Sequence, residues 1–176
     1  MEFIRDHTMY MAIFGLFSFV WFGWAQERPR PKWRLPLGIA SGAALLACGF
    51  GIYLSVINWN APSALNEQAP FLVYLITFWA QFVIIGAGSF ILIRRKKSGL
   101  VAPWVLFIVG LHFISLVFVF NDPLLFLLAA LLTGAAVASI FVAPKLAVAN
   151  SAIAGIGAGT ILLGFALLGL GRYLLT

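Results

Sequence analysis

The chain has 176 residues, 63% of them hydrophobic and 9% charged, with a formal net charge of +6 at pH 7. Soluble domains carry about a quarter charged residues, so this inventory cannot clothe a water-facing surface. An ordinary soluble bundle is excluded, and an integral membrane protein is implied.

A helix needs roughly 20 apolar residues to cross the hydrocarbon core. Six stretches meet or approach that length: about 8–25, 37–57, 70–93, 101–120, 124–143 and 151–171. They lack the period-two polar alternation of a membrane barrel, which excludes strands. The expected fold is all-α, a single six-transmembrane-helix bundle over residues 1–176. The first stretch follows the nearly neutral "MEFIRDH" and precedes a basic cluster, the reverse of an export signal, so it is read as a retained span.

The breaks between spans fall on turn-forming residues. Pro29, Pro31 and Pro36 punctuate the first loop, and Pro62 and Pro70 bound the second. Ser98-Gly99 marks the third, Asn121-Asp122-Pro123 the fourth and Pro144-Lys145 the fifth.

Lysine and arginine concentrate on the cytoplasmic side of membrane proteins. Arg28, Arg30, Lys32 and Arg34 occupy the first loop, Arg94, Arg95, Lys96 and Lys97 the third, and Lys145 the fifth. These loops (26–36, 94–100 and 144–150) fall on one side of a six-span chain and hold nine of its eleven basic residues. The other side has Arg5 and Arg172 among Glu2, Asp6, Glu67 and Asp122. The odd loops are therefore expected in the cytoplasm, with both termini outside. Their basic side chains can also meet anionic lipid headgroups, at about 1 kcal/mol per charge. Nucleic acid is not expected as a partner, because phosphate tracking needs a soluble basic face. Trp21, Trp24, Trp33, Trp59 and Trp104 lie near the span ends, as interfacial tryptophans do.

Membrane helices pack through small residues four apart. Gly38 and Gly42, and Gly155 and Gly159, have that spacing and are expected at helix contacts, with self-association into a homo-oligomer as the other use of such a face. Cys48 is the only cysteine, so an intrachain disulfide is excluded.

Within the spans, "VGLHFISLVFVF" (109–120) carries His112, an ionisable ring where the neighbours are apolar. An ionisable residue at membrane depth is a functional-site hypothesis by default. Gln81, on the preceding span, falls at a similar depth, with Trp79 beside it in sequence and Ser115 one turn from His112. Two readings follow. A Gln81–His112 hydrogen bond would be an interhelical clasp worth about 0.6–2 kcal/mol. Alternatively, His112, Gln81, Trp79 and Ser115 line a cavity that binds or passes a small, largely apolar molecule.

No Asp, Glu, Lys or Arg falls inside a span core, which disfavours an ion-coupled carrier. His112 and Cys48 cannot supply a zinc site, a second histidine at haem-ligating depth is missing, and no cofactor is expected. Asp6, His7, Glu67, Asn121 and Asp122 share the outer side and could converge there as a weak cation site. Two other functions use the same residues: a lipid-modifying enzyme with His112 as general acid–base, or an accessory subunit docking through the Gly155–Gly159 face and the basic loops.

Gly110-Leu111-His112-Phe113, just before a short outer turn, resembles a family of bacterial multi-pass inner-membrane proteins with a G-x-H-F-x-P-L pattern. This chain departs from the pattern at Ser115, where it has proline. The resemblance implies a bacterial cytoplasmic-membrane location and no particular activity. "WAQERPRPKWRLP" resembles the first cytoplasmic loop of the tryptophan-rich, five-helix translocator-protein family, but the span count and the extra basic loop argue against membership.

Overall fold

The structure is a computed structural model that describes residues 3–175. The described residues form six α-helices and no strand: α1 (Ile4–Trp24), α2 (Arg34–Ile57), α3 (Gln68–Arg94), α4 (Val101–Phe120), α5 (Leu124–Leu146) and α6 (Asn150–Leu174). Single 3-10 turns at Pro31–Trp33, Ala64–Asn66 and Ser98–Leu100 complete the connections. Each apolar stretch falls inside one helix to within a residue.

The fifth break differs from expectation. Pro144 lies inside α5, which continues to Leu146 and ends at Ala147 in the left-handed region (φ 54°). A proline strains only the turn before it, so the helix adds one more. The amides of Ala147 and Val148 then close on the carbonyls of Pro144 and Ala143. The connection shrinks to residues 147–149. At the fourth break the expectation and the geometry agree. Asn121 takes the left-handed conformation (φ 47°), and the Asp122 amide closes on Val117.

Five of the helices are long and apolar enough to cross a membrane, and α1 is not among them. Its first turn carries Arg5, Asp6, His7 and Thr8, and Tyr10, Trp21 and Trp24 lower its mean hydropathy further. Its environment explains this composition. α1 packs along both α2 and α6, so much of its circumference meets protein, while Leu16, Phe17 and Val20 stay exposed. Gly15 and Gly51 let α1 and α2 touch backbone to backbone, and a Cβ at Gly155 would lie 2.5 Å from the Trp21 carbonyl oxygen.

α5 packs on α4 and α6, completing a core of side chains such as Leu106, Leu128, Leu132 and Leu162. α3 is the outlier: it packs on α4 and the Ala64–Asn66 turn, and none of its residues is buried. The rest of the exterior is also apolar. Leu46 on α2, Val83 on α3 and Phe118 on α4 are 76%, 70% and 75% exposed, the surface of a protein solvated by lipid.

The ends of the helices sort into two polar layers. At one end the Arg30 guanidinium donates to the Leu146 carbonyl (3.3 Å), the Ala149 amide to Arg28 (3.4 Å) and the Asn150 amide side chain to Gly99 (2.9 Å). The first, third and fifth connections thus meet. At the other end Ser63 donates to Asp6 (2.6 Å), Arg172 to Asp122 (2.6 Å) and Asn58 to the Tyr173 hydroxyl (3.4 Å).

Candidate functional site

α3 leans on α4 but makes no extended contact with α1, and the space between them is a cavity of about 270 Å³. Helical periodicity selects its walls. Tyr74, Phe78, Gln81 and Ile85 form one stripe of α3, and Val109, His112, Phe113 and Leu116 one stripe of α4. α1 contributes Asp6, Tyr10, Phe14, Phe17, Trp21 and Trp24, with Leu162 of α6 closing the back. From Asp6 to Trp24 the wall follows about 27 Å of helix rise. Ile13, Phe17, Val20 and Phe82 line the cavity yet are 38%, 45%, 47% and 49% exposed. It therefore opens sideways between α1 and α3, toward lipid.

Three polar atoms on three helices interrupt this apolar lining. The Tyr10 hydroxyl, Gln81 Oε1 and His112 Nδ1 are buried, and each is without a hydrogen-bond partner among the described residues. A buried unsatisfied polar group costs about 1–3 kcal/mol, and such atoms are rare enough that each needs a physical account. Here all three share one cavity.

Gln81 and His112 line the cavity together but do not bond to each other, so the clasp is not made. Both side chains instead present these atoms to the cavity, and Thr77, one turn of α3 before Gln81, does not supply the missing partner. The Thr77 hydroxyl is committed to the Val73 and Tyr74 carbonyls (2.8 and 3.1 Å). Trp79 is displaced: two residues from Gln81 is about 200° around a helix, so it lies 60% exposed on the outer face of α3. Ser115 does not line the cavity, because its hydroxyl donates to the His112 carbonyl at 2.7 Å.

Tyr10 was not singled out by sequence reasoning. Its hydroxyl lies only two residues inside the first span, where a tyrosine reads as interfacial. The stripe Asp6, Tyr10, Phe14, Phe17, Trp21, Trp24, at steps of three and four, was the available signal.

Of the expected glycine contacts, Gly155 and Gly159 stand against α1, where added Cβ atoms would meet Trp21, Ala25 and Phe22. Gly38 and Gly42 have nothing within 4 Å of such an atom and face away from the bundle. α2 meets α1 through Gly51 and its neighbours on the opposite stripe.

The outer polar residues divide as well. Asp6, His7 and Asp122 are buried close to Arg172, whereas Glu67 and Asn121 are exposed. The Asp6 carboxylate accepts from Ser63 Oγ and the Ala64 amide, and Asp122 from Arg172 and the Leu124 amide. Both acids are thereby used in holding connections. No group of three or more His, Cys, Asp or Glu suited to a metal ion occurs among the described residues.

Neither a protein-family model, nor a curated protein, nor a solved structure matches the chain.

Proposed function

We propose that this is a six-span protein of the bacterial cytoplasmic membrane that binds or passes a small, largely apolar molecule through the cavity between α1, α3 and α4. Loops 26–36, 94–100 and 144–150 face the cytoplasm and both termini lie outside. α1 crosses with the other five, covered on two sides by α2 and α6. The observation that carries the functional reading is the convergence of Tyr10, Gln81 and His112, each with an unpartnered atom, on one laterally open cavity. Orphaned polar atoms in an apolar pocket are what a ligand with few polar groups requires. An enzyme acting through His112 needs a second reacting group beside it. Asp6, the carboxylate in the lining, is bound to Ser63 and the Ala64 amide at the outer mouth, so the binding reading is preferred.

A diazirine-bearing alkane tests this in lipid nanodiscs. Its label is expected on Phe17 and Phe82 beyond the level set by lipid-facing Leu46, and Val109→Trp, which fills the cavity, is expected to abolish that excess. Labelling that tracks lipid exposure alone and ignores Val109→Trp would refute the proposal.

A further inference from the structure

We propose that the molecule is an uncharged amphiphile bearing a hydroxyl group, with the hydroxyl held between Gln81 and His112 and the chain lying along the wall that runs to Trp24. This rests on the cavity reading above and adds the ligand's chemical class. Gln81 Oε1 only accepts hydrogen bonds, a neutral imidazole offers one donor and one acceptor, and a phenol does both. A hydroxyl can donate to Gln81 while accepting from His112, and it serves equally if the amide presents its nitrogen. Ethers and hydrocarbons cannot donate, and so leave Gln81 Oε1 unsatisfied.

Charge is excluded by the walls. Neither lysine nor arginine lines the cavity among the described residues, so a carboxylate or phosphate would lack a cation. An ammonium would find only Asp6, already committed at the mouth. An unpaired charge at this depth is expensive. The chain's place follows from the remaining lining. From Phe14, which meets Phe113 beside His112, to Trp24 the cavity extends along about 15 Å of helix rise, past Phe17 and Trp21, and Trp21 stacks on Trp24 at 5.2 Å. That length suits one long alkyl chain, and the opening between Phe17 and Phe82 lets it enter from the bilayer.

The test is displacement of a photoreactive long-chain alcohol from the full chain in phosphatidylcholine nanodiscs by hexadecanol, hexadecyl methyl ether, hexadecane and hexadecanoate. Hexadecanol is expected to displace it at about tenfold lower concentration than the ether or the alkane, the value of one buried hydrogen bond. Gln81→Leu and His112→Phe are each expected to shrink that preference to less than about threefold. Gln81→Met, which keeps the length of the side chain without its amide, is expected to shrink it too and serves if Gln81→Leu misfolds. Equal displacement by alcohol and alkane would remove the hydroxyl assignment and leave the cavity reading standing. Preference for hexadecanoate would overturn the uncharged class. No displacement by any of them, with labelling insensitive to Val109→Trp, would remove both.

Discussion

Gly155 and Gly42 both belong to small-residue pairs four apart in sequence but have opposite surroundings in space. A Cβ at Gly155 would lie 2.5 Å from the Trp21 carbonyl oxygen and 2.8 Å from the Ala25 amide nitrogen, and backbone cannot step aside as a side chain can. Gly155→Ala is therefore expected to destabilise the bundle by about 1–3 kcal/mol. Gly42→Ala meets open space and improves helix propensity, so it is expected to be neutral or stabilising by up to about 1 kcal/mol. Thermal melting in one detergent compares them directly, and equal losses would contradict the α1–α6 packing described. The Asp122–Arg172 pair supplies a second test. Burial favours the protonated acid, but the Arg172 hydrogen bond, the Leu124 amide and the Arg172 charge outweigh it and hold the carboxyl below its ordinary range. The folded pKa is thus lower than the unfolded value of about 3.9. The unfolded chain binds protons first on acidification, so the pair's contribution is complete above about pH 4 and is lost as pH falls through the folded value. Melting temperature is expected to drop below that pH, and Asp122→Asn to flatten the drop. Arg172→Leu strips the cation from a nearly inaccessible carboxylate and is expected to cost about 3 kcal/mol at neutral pH. An acid slope unchanged in Asp122→Asn would assign the effect to other groups.

At the scale of elements, α3 separates surface from site. It has one helical neighbour of any extent, and a Cβ at Gly88 would run into the Trp104 ring, so glycine is what lets α3 settle on α4. Its remaining circumference divides between lipid and cavity. In a protein with Trp79 as its sole tryptophan, lipids brominated in mid-chain are expected to quench the emission strongly. A protein keeping only Trp21, which is 4% exposed and reached only through the cavity opening, is expected to be quenched less. Similar quenching of the two would mean that α3 packs inward in the membrane. The same helix shows what sequence can convey. Its length and apolar character were legible, because crossing hydrocarbon needs a long uninterrupted run. Counting residues from the span ends put Gln81 and His112 at one level, and both line one cavity. Azimuth was not legible: whether Trp79 or Gln81 faces the cavity depends on where α4 and α1 stand, and α3 is apolar all round. The short, less apolar α1 has a related explanation. Hydropathy treats every span as lipid-facing, whereas α1 exchanges lipid for α2 and α6 and so tolerates Thr8, Ser18 and a tyrosine that the cavity uses.

For the molecule as a whole, the basic residues and the tertiary contacts make one argument about orientation. The contacts Arg30–Leu146, Ala149–Arg28 and Asn150–Gly99 tie the first, third and fifth connections into one layer. Whichever side holds one of them holds all three. Nine of the eleven basic residues belong to those connections, and the membrane potential and anionic lipids favour keeping them in the cytoplasm. Orientation is thus expected to be a property of the whole bundle. In a Cys48→Ala background, Lys97→Cys is expected to react with an impermeant maleimide only after the cells are opened, and Glu67→Cys in intact cells. Both positions are exposed, so access depends on side and not on burial. Replacing Arg94, Arg95, Lys96 and Lys97 by glutamine reduces the imbalance from nine against two to five against two. A minority of inverted molecules is then expected, reported by maleimide labelling of Glu27→Cys, an exposed position of the same layer, in intact cells. Labelling of Lys97→Cys and Glu67→Cys from the same side would break the alternation of crossings. Gln81 and His112 would then lose their common depth in the bilayer, and the route from lipid into the cavity would have to be redrawn.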